Sequence, residues 1–321
     1  MITLRRNVLI FHQAALGDFV LTWPIALACA RLWPTNRILY VTHAGKGALA
    51  ERAIGTEFRD GEPLHPLFSP DAKLPEPAMK LLNGAATIIS FVSNGSDAWA
   101  DNVGRRAPEA QLICVNARPE GSIDQHIMTY HAGQFGANVQ LQAAIGQMIT
   151  HIAASGATAR RAPGAQIVLH PGSGGADKCW PMERFVELAQ ALSAEKHDVH
   201  IVLGEVERER WSNEQKQQLA AVGTLHHPAD LVALFNLLQP AKLYVGNDSG
   251  PTHLAAISGV PTLALFGRDN EITWRPVGPN VRLLKQVPIE ELPLEPVVAM
   301  VREMLAGAAS TVSADVAADE D

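Results

Sequence analysis

Three junctions between apolar runs and glycine-rich turns gather the residue types that phosphate and hydroxyl chemistry needs. In "GNDSGPTH", residues 246–253, Gly250 allows close backbone approach, and Asp248 or Ser249 can cap a helix beginning near Pro251. The amides from Ser249 through Thr252 to His253 can then hold an anion at the helix start, where the dipole also favours negative charge. Asp248 itself suits capping, or orienting His253 and the loop, better than touching a dianion. In "LHPGSGGADKCWP", residues 169–181, Gly172, Gly174, Gly175 and Ser173 bring donors to an anion, and Lys178 adds a positive charge. The order matches neither GxxxxGK[ST] nor GxGxxG. The same residues also read as a plain turn, with Lys178 solvated, Pro181 in the first turn of a helix and Trp180 in packing.

The first junction, "FHQAALGDFVLTWP" at 11–24, carries Gly17 and Asp18. Asp18 reads either as a helix N-cap or as a general base that takes a proton from an acceptor hydroxyl. His12 and Gln13 can shape the same pocket, and His12 alone also fits a partly buried, hydrogen-bonded histidine. In "HIVLGEVERER", Glu205 follows a strand end. It can accept hydrogen bonds from ribose hydroxyls or stand as an exposed turn carboxylate.

Positioning these turns requires alternating strands and helices. "NVLIFH", "RILYVTH", "ATIISFV" and "AQLICVN" read as strands, "FVLTWPIALACARLW" as one helix, and 124–156 as largely helical. This is βαβ construction. "ASGATARRAPG" at 154–164 breaks the apolar rhythm and predicts a linker, which gives an N-terminal domain 1–160 and a C-terminal domain 161–321. The second half restarts with the strand "QIVLHPGSG", then a helix with Phe185, Leu188, Ala189 and Leu192 on its buried face. It continues through "HDVHIVLGE", "DLVALFNLLQ" and "YVGNDSGPTHLAAISGVPTLALFG" to a final helix at "EPVVAMVREMLAG". The small, acidic residues after 307 predict a flexible tail. In such open α/β sheets ligands collect at the carboxyl ends of strands.

Composition narrows the function classes. The chain has 321 residues, 47% of them hydrophobic, enough for a full core, and a net charge of -7 that gives no broad attraction to nucleic acid. Cys29, Cys114 and Cys179 form no CxxC pair, which fits a reducing compartment. No secretory pattern or membrane-spanning run is read at the N-terminus. The cytoplasm is the expected location.

"ALGDFVLTWP", "LHPGSGGADKCWP", "VLGEVERER" and "YVGNDSGPTHLAAISGVPTLALFG" together resemble glycosyltransferase family 9, the bacterial ADP-heptose lipopolysaccharide heptosyltransferases and their relatives. The resemblance implies a GT-B fold, with two Rossmann-like domains facing across a cleft. It also implies inverting transfer of a sugar, typically heptose from ADP-heptose, to the lipopolysaccharide inner core. Asp18 then corresponds to the general base, Lys178 to the diphosphate-contacting cation and Glu205 to the ribose carboxylate. Asp248, Ser249, Gly250, Pro251, Thr252 and His253 correspond to the donor loop, and His126 lies on the acceptor side. The N-terminal domain would bind the acceptor, the C-terminal domain the nucleotide sugar, and the cytoplasmic face of the inner membrane becomes a place for peripheral attachment. Two departures stand out: fewer basic residues surround Lys178 than is usual, and Tyr130 occupies a commonly basic position. No DxD motif or Asp-rich cluster is present, so no metal or other cofactor is expected to be required. The alternatives are a nucleotide-sugar epimerase or hydrolase, and a nucleotide- or glycan-binding regulator without turnover.

Overall fold

The computed structural model describes residues 6–70, 73–158 and 164–318, with side chains placed up to residue 307. The chain divides into two compact units: Met1–Ala153 with Ile272–Trp274, and Ala154–Glu271 with Arg275–Asp321. The division falls at 153/154, near the end of the helix Val139–Ser155, while the expected 160/161 boundary lies among residues 159–163, outside the described residues.

The first unit is built on five parallel strands, β1 (Asn7–Phe11), β2 (Arg37–Thr42), β3 (Glu57–Asp60), β4 (Ala85–Ser90) and β5 (Gln111–Cys114), in the order β3-β2-β1-β4-β5. Alternation along β1 sends Leu9 and Phe11 to one face, where they pack with Leu39, Val41, Ile88 and Trp99. The Trp99 ring meets Phe11 edge-on with centroids 5.0 Å apart. The order reverses direction between β1 and β4, so the turn after β1 opens at the sheet's switch point.

The second unit has six parallel strands, β6 (Gln166–His170), β7 (Asp198–Val202), β8 (Thr224–His226), β9 (Leu243–Asn247), β10 (Thr262–Phe266) and β11 (Val281–Lys285), ordered β11-β10-β9-β6-β7-β8. The helix Met182–Ala194 buries Phe185, Leu188, Ala189 and Leu192 against it, as their spacing predicts. Here the switch point lies between β9 and β6. The exits of β9, β6 and β7 therefore stand side by side, and they carry three of the four turns singled out in the sequence, the fourth being the exit of β1 in the first unit.

Two local differences have physical causes. "FVLTWPIALACARLW" is not one helix but two, Leu16–Val20 and Trp23–Leu32. Pro24 lacks the N–H that a continuous helix would use, while the Thr22 hydroxyl donates to the Phe19 carbonyl at 2.7 Å and pairs with the Tyr40 hydroxyl at 2.9 Å. Strands β3, β8 and β11 escape sequence patterning because each is an outer strand, short or carrying charges. The last helix, Leu294–Ala318, runs on past residue 307, where the sequence predicts the start of a tail. Among the described residues no helix is long and apolar enough to cross a membrane.

Candidate functional site

In the second unit, β6 and β9 deliver their turns to each other. Asn247, fully buried at the end of β9, accepts from the Trp180 amide at 3.0 Å and donates to the Pro171 carbonyl at 2.8 Å. The Ser173 hydroxyl donates to the Asp248 carbonyl at 2.8 Å. Trp180 is buried in packing, its indole N–H bonded to the Leu292 carbonyl at 2.8 Å. These bonds fix Lys178 so that its Nζ meets Asp248 Oδ2 at 2.6 Å.

Asp248 caps nothing. Ser249 takes the N-cap position of the helix Gly250–Ile257, and its hydroxyl turns to Thr252 Oγ1 at 3.0 Å and His170 Nδ1 at 3.4 Å. Burial opposes ionisation of Asp248, but His253 and Lys178 beside it outweigh that and hold its carboxyl below the usual range. His253 Nε2 stands 3.9 Å from Oδ1, beyond hydrogen-bond reach, so Lys178 is the bonded partner. Thr252 points inward, bonded to the Asn247 carbonyl and the Tyr244 hydroxyl. What faces outward is the helix start: the N–H groups of Gly250 and Thr252 have no intrahelical acceptor, and Pro251 contributes none. Arg268, from the exit of β10, bonds Asp177 at 2.7 Å beside Lys178, where its charge is matched by that carboxylate.

β7 completes the group. Glu205 opens the helix Glu205–Arg210 and is exposed. Two residues on, Glu207 turns inward, accepting from the Gly204 amide at 2.9 Å, with Oε2 4.0 Å from His170 Nε2. Burial pushes His170 down to about 4, so its imidazole is neutral at pH 7. A Cβ on Gly172 would overlap the Glu207 carboxylate, so glycine is what lets this acid lie against the turn. Gly172, Ser173, Trp180, Glu207, Arg210 and Trp211 are among the residues lining a recess of about 280 Å³. Cationic and dipolar groups thus adjoin a pocket with a buried carboxylate, a combination suited to a phosphate joined to a hydroxylated ring.

In the first unit, Asp18 lies in the first turn of Leu16–Val20, where Ala15 is the N-cap, so it does not cap the helix. Its Oδ2 accepts from Arg118 Nη2 at 2.8 Å. Lys46, from the exit of β2, donates to the Ala14 carbonyl at 2.6 Å and the Gln13 carbonyl at 3.3 Å, tying down the turn that carries Gly17 and Asp18. Burial lowers the Lys46 ammonium's pKa, while Asp18 opposes the fall. His12 is buried against Phe19 and Phe91 with Nδ1 unpartnered, and burial, then Lys46 and His131, drives it down to about 3. The exposed Gln13 side chain leaves its backbone carbonyl to Lys46. His126 is the N-cap of the helix Ile127–Gly133, its Nδ1 accepting from the Met128 amide at 3.2 Å. Lys46, Arg118, His131, Glu207 and Arg268 were not singled out in the sequence. Lys46, Arg118 and Arg268 reach their places from strand exits far along the chain, whereas Glu207 and His131 lie one helical turn or so from Glu205 and His126. Among the described residues no cluster of His, Cys, Asp and Glu is arranged to hold a metal ion.

The family model described as "Glycosyltransferase family 9 (heptosyltransferase)" matches residues 126–294, more than half of the chain. The chain belongs to glycosyltransferase family 9. It is 31% identical to lipopolysaccharide heptosyltransferase 3 of Escherichia coli over 118 residues, which span 36% of this chain and 35% of that protein. The chain thus matches about a third of the length of its curated relatives. Its fold is similar to that of E. coli heptosyltransferase WaaC with ADP (TM-score 0.65, 16% identity, 93% of this chain and 99% of that one). It is also similar to E. coli ADP-heptose lps heptosyltransferase II (TM-score 0.67, 16% identity, 94% and 99%). At that identity the likeness speaks for the fold, which is GT-B, as the family resemblance implies.

Proposed function

We propose that this family 9 protein transfers a sugar, heptose from ADP-heptose, to an inner-core lipopolysaccharide acceptor with inversion at the anomeric carbon. The observation that carries the reading is the meeting of Lys178, Asp248 and the start of the helix Gly250–Ile257 beside the recess that holds Glu207. The second unit binds the donor: Lys178 and the first-turn amides take the diphosphate, and the recess takes the nucleoside. Glu207, turned inward, is better placed for a ribose than the exposed Glu205. The first unit binds the acceptor, with Asp18 as general base.

The acceptor oxygen attacks the anomeric carbon from the face opposite the nucleotide, its proton passes to Asp18, and the anomeric C–O bond to the diphosphate breaks. Charge growing on the leaving phosphate is met by Lys178 and the helix dipole. A single displacement inverts the configuration. With such an acceptor, the reaction would take place in the cytoplasm, at the cytoplasmic face of the inner membrane.

The test is incubation with a panel of ADP- and UDP-activated sugars and lipopolysaccharide core acceptors, read by mass spectrometry of the acceptor. Transfer is expected with ADP-heptose. Asp18→Asn should lower it by about 10²–10⁴-fold. Unchanged transfer in that variant would remove the base from the mechanism, and donor consumption without a glycosylated product would point to a hydrolase or epimerase.

A further inference from the structure

The carboxylate assigned as base is already engaged. Arg118 Nη2 donates to Asp18 Oδ2 at 2.8 Å, with the Arg118 side chain 69% exposed and Asp18 only 16%. A guanidinium on the solvent side covers a largely buried carboxylate.

The turn after β5 is built to hold Arg118 there. Gln134 bonds both backbone groups of Asn116, accepting from its amide at 2.7 Å and donating to its carbonyl at 3.1 Å. His131 Nε2 bonds the Ala117 carbonyl at 3.1 Å. A carbonyl only accepts, so Nε2 carries the proton. The Arg118 amide donates to Asn116 Oδ1 at 3.3 Å, and its guanidinium lies 6.0 Å from the Trp274 ring centroid. The backbone is anchored at consecutive residues, while the charged end of the side chain stays in solvent. The nearby ammonium of Lys46 is held by two carbonyls, whereas the exposed guanidinium of Arg118 is free to exchange its partner with one arriving from solvent.

A carboxylate that takes up a proton in such a pair gives up a charge-assisted hydrogen bond. The step is easier once the guanidinium has another anion to hold. We propose that Arg118 is a latch on Asp18, opened by an acceptor that carries a carboxylate next to its reacting hydroxyl. The planar fork of Arg118 moves to the acceptor's carboxylate, to which it can bind through two parallel bonds. Asp18 is then free for the hydroxyl proton, and the electron balance is that of the displacement already described. In the absence of such an acceptor the latch keeps Asp18 from activating water, which would hydrolyse the donor.

The inference rests on Asp18 acting as base. The test uses the full chain, ADP-heptose, and a core acceptor with sugar carboxylates compared with the same acceptor as methyl esters. ADP release without any acceptor is measured alongside. Wild type should prefer the free acid. In Arg118→Ala that preference, as a ratio of kcat/KM values, should shrink by about tenfold or more, chiefly through KM for the free acid. ADP release into water should rise several-fold, by roughly the same reasoning about a freed carboxylate. Arg118→Gln repeats the test with a neutral, shorter side chain that still carries N–H donors, and thermal melting of both variants checks the fold. A preference for the free acid that survives in both variants, or ADP release that does not rise, overturns the latch. If Asp18→Asn leaves transfer intact, the functional reading itself falls. If Asp18→Asn abolishes transfer while Arg118→Ala slows both acceptors equally, only the latch falls.

Discussion

Lys178 and Asp248 lie 70 residues apart in sequence and meet at 2.6 Å where the order of the second sheet reverses. The side chains are 24% and 7% exposed, so the pair is shielded from much of the screening that weakens surface ion pairs. Asp248 holds the ammonium in place before any diphosphate arrives. Lys178→Ala should therefore lower the transfer rate by about 10²-fold, and Asp248→Asn should act through the same lysine. Rates of both single variants and the double variant check this. A double variant no worse than Lys178→Ala alone marks the two as one unit, whereas independent, multiplying losses would separate them.

The same pair makes part of the stability pH-dependent. The folded-state pKa of Asp248 is depressed, so its contribution is present above the ordinary carboxylate range and is lost as pH falls through the folded value. Urea denaturation of wild type and Asp248→Asn between pH 6 and pH 3 should give curves that converge toward the acid end. A constant gap across that range would contradict the coupling.

Two buried histidines act in a higher pH window. His170 is lowered to about 4 and His12 to about 3, both chiefly by burial, so each is neutral in the folded protein while its unfolded counterpart takes up a proton below an ordinary histidine value near 6.5. Their stabilising effect is whole above that value and erodes as pH falls, by about 1.4 kcal/mol per pH unit for each histidine, until the folded imidazole itself protonates. His170→Asn should flatten the slope of stability between pH 6 and pH 4.5, and His12→Asn should do so separately. Slopes unchanged from wild type would show that neither ring is held neutral.

The glycine-rich turns at 172–175 and 246–250 were legible because glycine, proline and capping residues interrupt strong strand patterns, and all open at strand exits as the sequence predicts. Strand order was not legible. Nothing local says that β9 lies beside β6, so the choice of Asp248 as the partner of Lys178, rather than as a helix cap, could come only from the sheet. Glu205 stood out because it follows a strand. The six-residue helix that begins there exposes it and turns Glu207 inward, a rotation that a sequence of alternating charges does not announce. Lys46 and Arg118 are hidden for a similar reason: Lys46 follows β2, which adjoins β1, and Arg118 follows β5, one strand beyond β4, and each gains its meaning only from the exit of β1. The hidden information was mostly in which exits adjoin.

Gly172 and Glu207 offer the sharpest check on how the recess is built. A methyl group at 172 would occupy the space of the Glu207 carboxylate, which also bonds the Gly204 amide at 2.9 Å. Gly172→Ala must therefore push Glu207 off that amide or shift the turn, and overpacking of this kind costs about 1–3 kcal/mol. If Glu207 binds the donor's ribose, the same change should weaken nucleotide binding as well. Glu207→Ala removes the obstructing atoms, so adding Gly172→Ala to it should cost far less stability than Gly172→Ala alone, while nucleotide affinity stays low in both. Chemical denaturation and calorimetric titration with ADP on the three variants would measure each half. Stability penalties that simply add would mean the methyl group finds room elsewhere, and full ADP affinity in Glu207→Ala would move the ribose carboxylate to another residue.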